Sequence, residues 1–204
     1  MKILYNHASP FSRKARVLAI ELGLINSIEL EDTGLISPIK PNGTVTPVNP
    51  IGKVPVLITD DGVSITDSRV ICEFLDSEGK GDFFPKSAPE RFIALTLQAL
   101  ADDALTTSVA VRYEIAHRPK GTIWDEWVSK QKSRVSRTID HFADVQHSFE
   151  NTLNIGTVAV ACVLGYVNFR ELDDTWDERN PHLSAWFTKF DNRESMQRTR
   201  PSPR

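Results

Sequence analysis

The chain has 204 residues, 40% of them apolar and 25% charged, enough to bury a core in one large domain or two small ones. A total of 24 Lys and Arg against 27 Asp and Glu leaves a formal charge of −3, which argues against a protein built to grip nucleic acid. Two cysteines, Cys72 and Cys162, with no Cys-x-x-Cys pair and no Cys/His ligand spacing, argue against a disulfide scaffold and a cysteine zinc site, and no metal is expected.

Ile3-Leu4-Tyr5 is a short apolar run that predicts a buried strand. The first residues lack the apolar stretch of a secretory leader. The longest apolar run, Thr157 to Val167, is too short to cross a bilayer, so a soluble cytoplasmic protein without a membrane partner is expected. Ser9 followed by Pro10 is a helix start, a favoured cap before a favoured first residue. Ala15, Leu18, Ala19 and Leu22 recur at helical spacing and Gly23 fits a left-handed stop, so residues 10–22 read as a helix. Ser27-Ile28-Glu29-Leu30-Glu31 alternates as a half-buried strand does. Residues 32–53 carry four prolines and three glycines and predict a long irregular loop, a length that usually serves function. Val54 to Ile58 and Val63 to Ile65 flank Asp60-Asp61-Gly62, a hairpin signal. Thr66-Asp67-Ser68 then caps a helix containing Val70, Ile71, Phe74 and Leu75.

After Gly79-Lys80-Gly81 the texture becomes helical. Residues 89–117 read as one long helix and residues 122–149 as an amphipathic one, with Trp127, Gln131, Val135, Ile139 and Phe142 near a 3.6 period. Asn154 to Phe169 reads as a buried helix capped by Asn154, and Pro181 opens a last short helix. The tail, residues 200–204, is expected to be loose. The fold class expected is α/β followed by all-α, with domains at 1–82 and 87–204.

Three N-terminal motifs resemble those of bacterial glutathione S-transferases: Ser9-Pro10-Phe11-Ser12-Arg13-Lys14-Ala15-Arg16-Val17, Asn49-Pro50-Ile51-Gly52-Lys53-Val54-Pro55-Val56-Leu57 and Ile65-Thr66-Asp67-Ser68-Arg69-Val70-Ile71. Gly165-Tyr166-Val167-Asn168-Phe169-Arg170 is similar to a run of a bacterial subgroup, so the resemblance covers nearly the whole chain. It implies a thioredoxin-like N-terminal domain, a helical C-terminal domain, a homodimer, and a detoxifying transferase. Glutathione would be the co-substrate, its thiolate conjugated to a small apolar electrophile. A glutathione- or protein-binding member without turnover is the alternative, and a glutathione-dependent reductase a more distant one.

The same resemblance assigns roles. Ser9 would donate a hydrogen bond to the sulfur from a helix N-terminus, where an anion is favoured. Read without the family, Ser9 is a cap contributing about 1 kcal/mol. Ser12 competes for the role but falls inside the first turn, and Tyr5 competes from an apolar strand. A Ser in place of the reductases' Cys cannot form a mixed disulfide, which favours conjugation over thiol transfer. Val54 before a cis Pro55 would pair its backbone with the cysteinyl unit like an added strand. Asp67 and Ser68 would take the γ-glutamyl ammonium and carboxylate, although the family more often has Glu where Asp67 stands, and Lys40 or Lys53 would take the glycyl carboxylate. Phe11, Arg112 and Tyr113 would line the second-substrate pocket. His7 is given no role. Two departures stand out. Thr157 replaces the acidic or amide residue of the family's last-helix cap, which is expected to weaken that cap, and Arg193-Glu194-Ser195 replaces Arg-Pro-Ser.

Overall fold

A computed structural model describes residues 1–34 and 36–201. Strand β1 (Lys2–Tyr5) leads into helix α1 (Pro10–Glu21), a 3₁₀ turn (Ile25–Ser27) and β2 (Glu29–Asp32). After the long loop come β3 (Val56–Ile58), β4 (Ser64–Ile65) and α2 (Ser68–Glu78). The sheet runs β2-β1-β3-β4, with β1 parallel to β2 and the remaining pairs antiparallel. This is the thioredoxin-like arrangement. Ile3, Leu4, Val56 and Leu57 are buried at its centre.

Local chemistry explains where these elements begin and end. Helix α1 stops in a left-handed turn at Gly23, whose N–H donates to Ile20 O while Leu24 N–H donates to Ala19 O. Residue 27, read as strand, belongs instead to the 3₁₀ turn, because its N–H and hydroxyl both donate to Leu24 O. Strand β3 begins two residues later than its apolar run, since Pro55 has no N–H for a ladder. The β3–β4 turn places Gly62 at φ 84, a conformation that costs glycine little.

The remaining helices are α3 (Ala88–His117), α4 (Asp125–Asp144), α5 (Ile155–Arg170), α6 (Trp176–Arg179), α7 (Pro181–Asp191) and α8 (Glu194–Arg198). The amphipathic stretch read as residues 122–149 resolves into α4 and a 3₁₀ turn, Gln146–Ser148. Helix α5 is buried on all sides and packs along α3, close enough that Gly156 leaves no room for a side chain beside the Ala94 carbonyl. The expected weakening of its cap is corrected here. Thr157 N–H donates to Asn154 Oδ1 at 3.1 Å and Asn154 N–H to Thr157 Oγ1 at 2.9 Å, a complete reciprocal cap, because a hydroxyl accepts that N–H as well as a carboxylate does.

Two compact units result. One spans Met1–Lys86 together with the segment from Glu194, and the other spans Ser87–Arg193. The sequence reading ran its second domain to residue 204, whereas α8 packs on α1: Arg13 Nη2 donates to Met196 O at 3.1 Å and Ser195 Oγ to Glu21 Oε1. Among the described residues no helix is long and apolar enough to cross a membrane.

Candidate active site

Register brings three of the sequence motifs to one end of the sheet. Leu4 pairs with Val56, so the chain leaving β1 toward Ser9 lies level with Val54. Leu57 pairs with Ile65, so the chain leaving β4 toward Asp67 lies level with Pro55. Neighbouring strands stand about 4.8 Å apart, which puts the starts of α1 and α2 on either side of the loop that enters β3.

Ser9 is the N-cap of α1, and its Oγ accepts the Ser12 N–H at 3.2 Å. The oxygen is thereby oriented, and the hydroxyl keeps its own proton to donate. Asn6 builds the turn that carries Ser9. Its C=O accepts the Ser9 N–H at 3.0 Å, its Oδ1 accepts the Ala8 N–H at 2.9 Å, and its Nδ2 donates to Gly34 O at 2.6 Å. The two competitors are placed differently. Ser12 is fully buried, with its Oγ 3.4 Å from the Asn6 N–H. Tyr5 lies under the Arg16 guanidinium, 4.4 Å from the ring centroid. Burial lowers the Arg16 pKa, with Tyr5 and Asp32 acting in the opposite sense.

The Val54–Pro55 bond is cis. Val54 is nearly buried, yet among the described residues no hydrogen bond engages its N–H or C=O. Extended backbone with its N–H and C=O unengaged is chemically suited to pairing with an added strand. Asn49, also buried, holds the loop that presents it, donating from Nδ2 to Lys53 O at 2.8 Å and to Thr66 Oγ1 at 3.4 Å. That side chain ties the approach to β3 to the approach to α2. The Lys53 and Lys40 side chains are exposed.

Asp67 caps α2 through Oδ1, which accepts the Arg69 N–H at 2.8 Å. Ser68 is buried, and its hydroxyl has no hydrogen-bond partner among the described residues. The helix start therefore offers a free hydroxyl and free N–H groups to an anion. Phe11 is half-buried in the first turn of α1. Arg112 and Tyr113 lie on α3 in the other unit, Arg112 exposed and Tyr113 edge-on to His117 at 5.7 Å. Burial raises the pKa of Tyr113, and also that of Tyr166, whose field includes Arg112 and Arg170.

Sequence reasoning missed Asn6, the anchoring role of Asn49, and the pair His7–Asp32. The signal for Asn49 was present, since the residue stands in the quoted motif. Asp32 ends β2 and gave no local signal. Among the described residues no group of three or more His, Cys, Asp or Glu is placed to hold a metal.

The family model for the glutathione S-transferase N-terminal domain matches residues 8–78. An uncharacterised GST-like protein of Escherichia coli K12, YibF, is 30% identical over 98% of both chains. A glutathione transferase family member from Pseudomonas fluorescens Pf-5, solved with bound glutathione, superposes with a TM-score of 0.94 at 36% identity, covering 99% of each chain. A second structure from the same source, with bound S-(propanoic acid)-glutathione, gives a TM-score of 0.89 at 36% identity over 100% of each.

Proposed function

The chain belongs to the glutathione S-transferase family, and from that premise we propose that it binds glutathione on its first unit and transfers the thiolate to a small apolar electrophile. Val54 pairs with the cysteinyl backbone, Ser68 and the α2 start take the γ-glutamyl carboxylate, and the outer oxygen of Asp67 takes the ammonium. Lys40 or Lys53 meets the glycyl carboxylate. Ser9 donates to the sulfur and holds it as thiolate, and Phe11, in the same helix turn, lies beside it. The observation that carries this reading is the Val54 backbone pair, buried and unengaged, at the same sheet end as a capped serine and a free serine hydroxyl. A thioether of glutathione held by the Pseudomonas relative supports conjugation as the reaction class. A cytoplasmic homodimer is part of the same proposal, supported by exposed Ile51 and Val70 on the first unit.

Calorimetry with glutathione, combined with thiolate absorbance near 240 nm across pH, tests it. Wild type is expected to bind and to lower the thiol pKa by about one to three units. Ser9→Ala is expected to bind but to lose most of that shift. Binding without a thiolate in wild type would leave a binding protein, not a transferase, and no binding would overturn the site.

A further inference from the structure

We propose that Arg112, Tyr166 and Arg170 form an anion site on the second unit, and that its ligand is a small organic carboxylate. This site is independent of glutathione binding on the first unit. Tyr166 and Arg170 stand four residues apart on α5 and so share a face of that helix. Arg112 comes from α3, which packs along α5. The charges of Arg112 and Arg170 both act on the Tyr166 phenol. Two guanidinium groups therefore meet at one hydroxyl, and among the described residues neither forms an ion pair. The neighbouring carboxylates are committed to other arginines: Glu114 Oε2 accepts from Arg118 Nε at 2.9 Å, and Asp173 Oδ2 from Arg179 Nη2 at 2.9 Å.

Arg170 is half-buried, its guanidinium 4.1 Å from the Phe169 ring centroid and 5.6 Å from that of Tyr166. Its Nε is buried and has no hydrogen-bond partner among the described residues. The α5 dipole favours a cation in this last turn, but it neither satisfies that N–H nor accounts for a second arginine. A guanidinium held against rings with no carboxylate of its own suits an oxyanion. Its planar fork matches a carboxylate, and the rings give the rest of the ligand an apolar wall. Burial raises the Tyr166 pKa, so the phenol stays protonated. Tyr113, half-buried and also in the field of Arg170, borders the site, and exposed Arg112 forms its open side.

The experiment is an NMR titration of the full-length protein with benzoate, and with benzamide as its neutral isostere. It follows saturation transfer to the ligand and the Arg170 Nε–H signal, which is assigned by its loss in Arg170→Met. Wild type should bind benzoate saturably and benzamide about tenfold more weakly, and benzoate should move the Arg170 signal. Arg170→Met, which keeps the apolar stem, should weaken benzoate by about tenfold. Arg112→Gln, at an exposed position, should weaken it by about threefold and keeps the test open if the first variant fails to fold. An unmoved Arg170 signal, equal binding of the two ligands, unchanged affinity in the folded variants, or no binding of benzoate by wild type each overturns the site. Inorganic phosphate binding as tightly as benzoate overturns the organic carboxylate as its ligand.

Discussion

Ser9 joins two requirements in one side chain: its lone pair caps α1, and its hydroxyl keeps a proton to donate. Asn6 shows the complementary economy, a buried amide whose donor and acceptor are both used to shape the turn. Elsewhere single residues act through charge. The Arg179 guanidinium, donating to Asp173 at 2.9 Å, pulls its carboxyl down to about 2 against the opposing effect of burial, with the Ser136 hydroxyl helping. A carboxyl held below its ordinary value of 3.8 stabilises fully above about pH 4, and that stabilisation is lost as pH falls toward 2. Thermal melts between pH 2 and 7 should show this acid loss in wild type. In Asp173→Asn it should be smaller by about 1 kcal/mol, allowing for solvent screening at half-exposed Arg179. The Ser9 cap was legible in sequence, since a cap and its helix are neighbours. The contact of Asp173, in the link between α5 and α6, with Ser136 on α4 was not, because 37 residues separate them in the chain.

At the level of elements, the long helices were legible because a 3.6 period needs only several turns of one segment. Helices α6 and α8 were not, as four and five residues are too few to display a period. The α3–α5 contact gives a sharp test. A Cβ at Gly156 would stand 2.7 Å from Ala94 O and 3.0 Å from Leu97 Cβ, and the nearer group is helix backbone that cannot swing aside. Alanine normally favours a helix over glycine by about 1 kcal/mol. Here overpacking wins, and Gly156→Ala should lower stability by about 2 kcal/mol in urea titration. Thr157 carries a lesson about substitution rules. It departs from the family's usual residue, yet the cap is complete, because the N-terminal N–H requires an acceptor and not a charge.

Across the whole molecule, the chain returns to its first unit after leaving it. Arg13 is buried, and its guanidinium meets Met196 O and Thr199 Oγ1, while Met196 is fully buried. Removal of residues 194–204 should therefore destabilise the unit that carries Ser9 by about 3 kcal/mol or more, from lost charged hydrogen bonds and apolar burial. Hydrogen exchange should show faster opening of α1 in that truncated chain, and unchanged exchange there would overturn this account of α8. What the sequence determined by itself was local: where α1, α2 and α5 start, the glycine that stops α1, and the three motifs with their spacing. Tertiary structure alone decided the strand order β2-β1-β3-β4, the meeting of Ser9, Val54 and Ser68 at one sheet end, the approach of Asp32 to His7, and the docking of α8 on α1. The physical reason is that caps and periods are set by neighbours a turn away. Register and docking are set by which distant surfaces bury the most apolar area once the loops between them have closed.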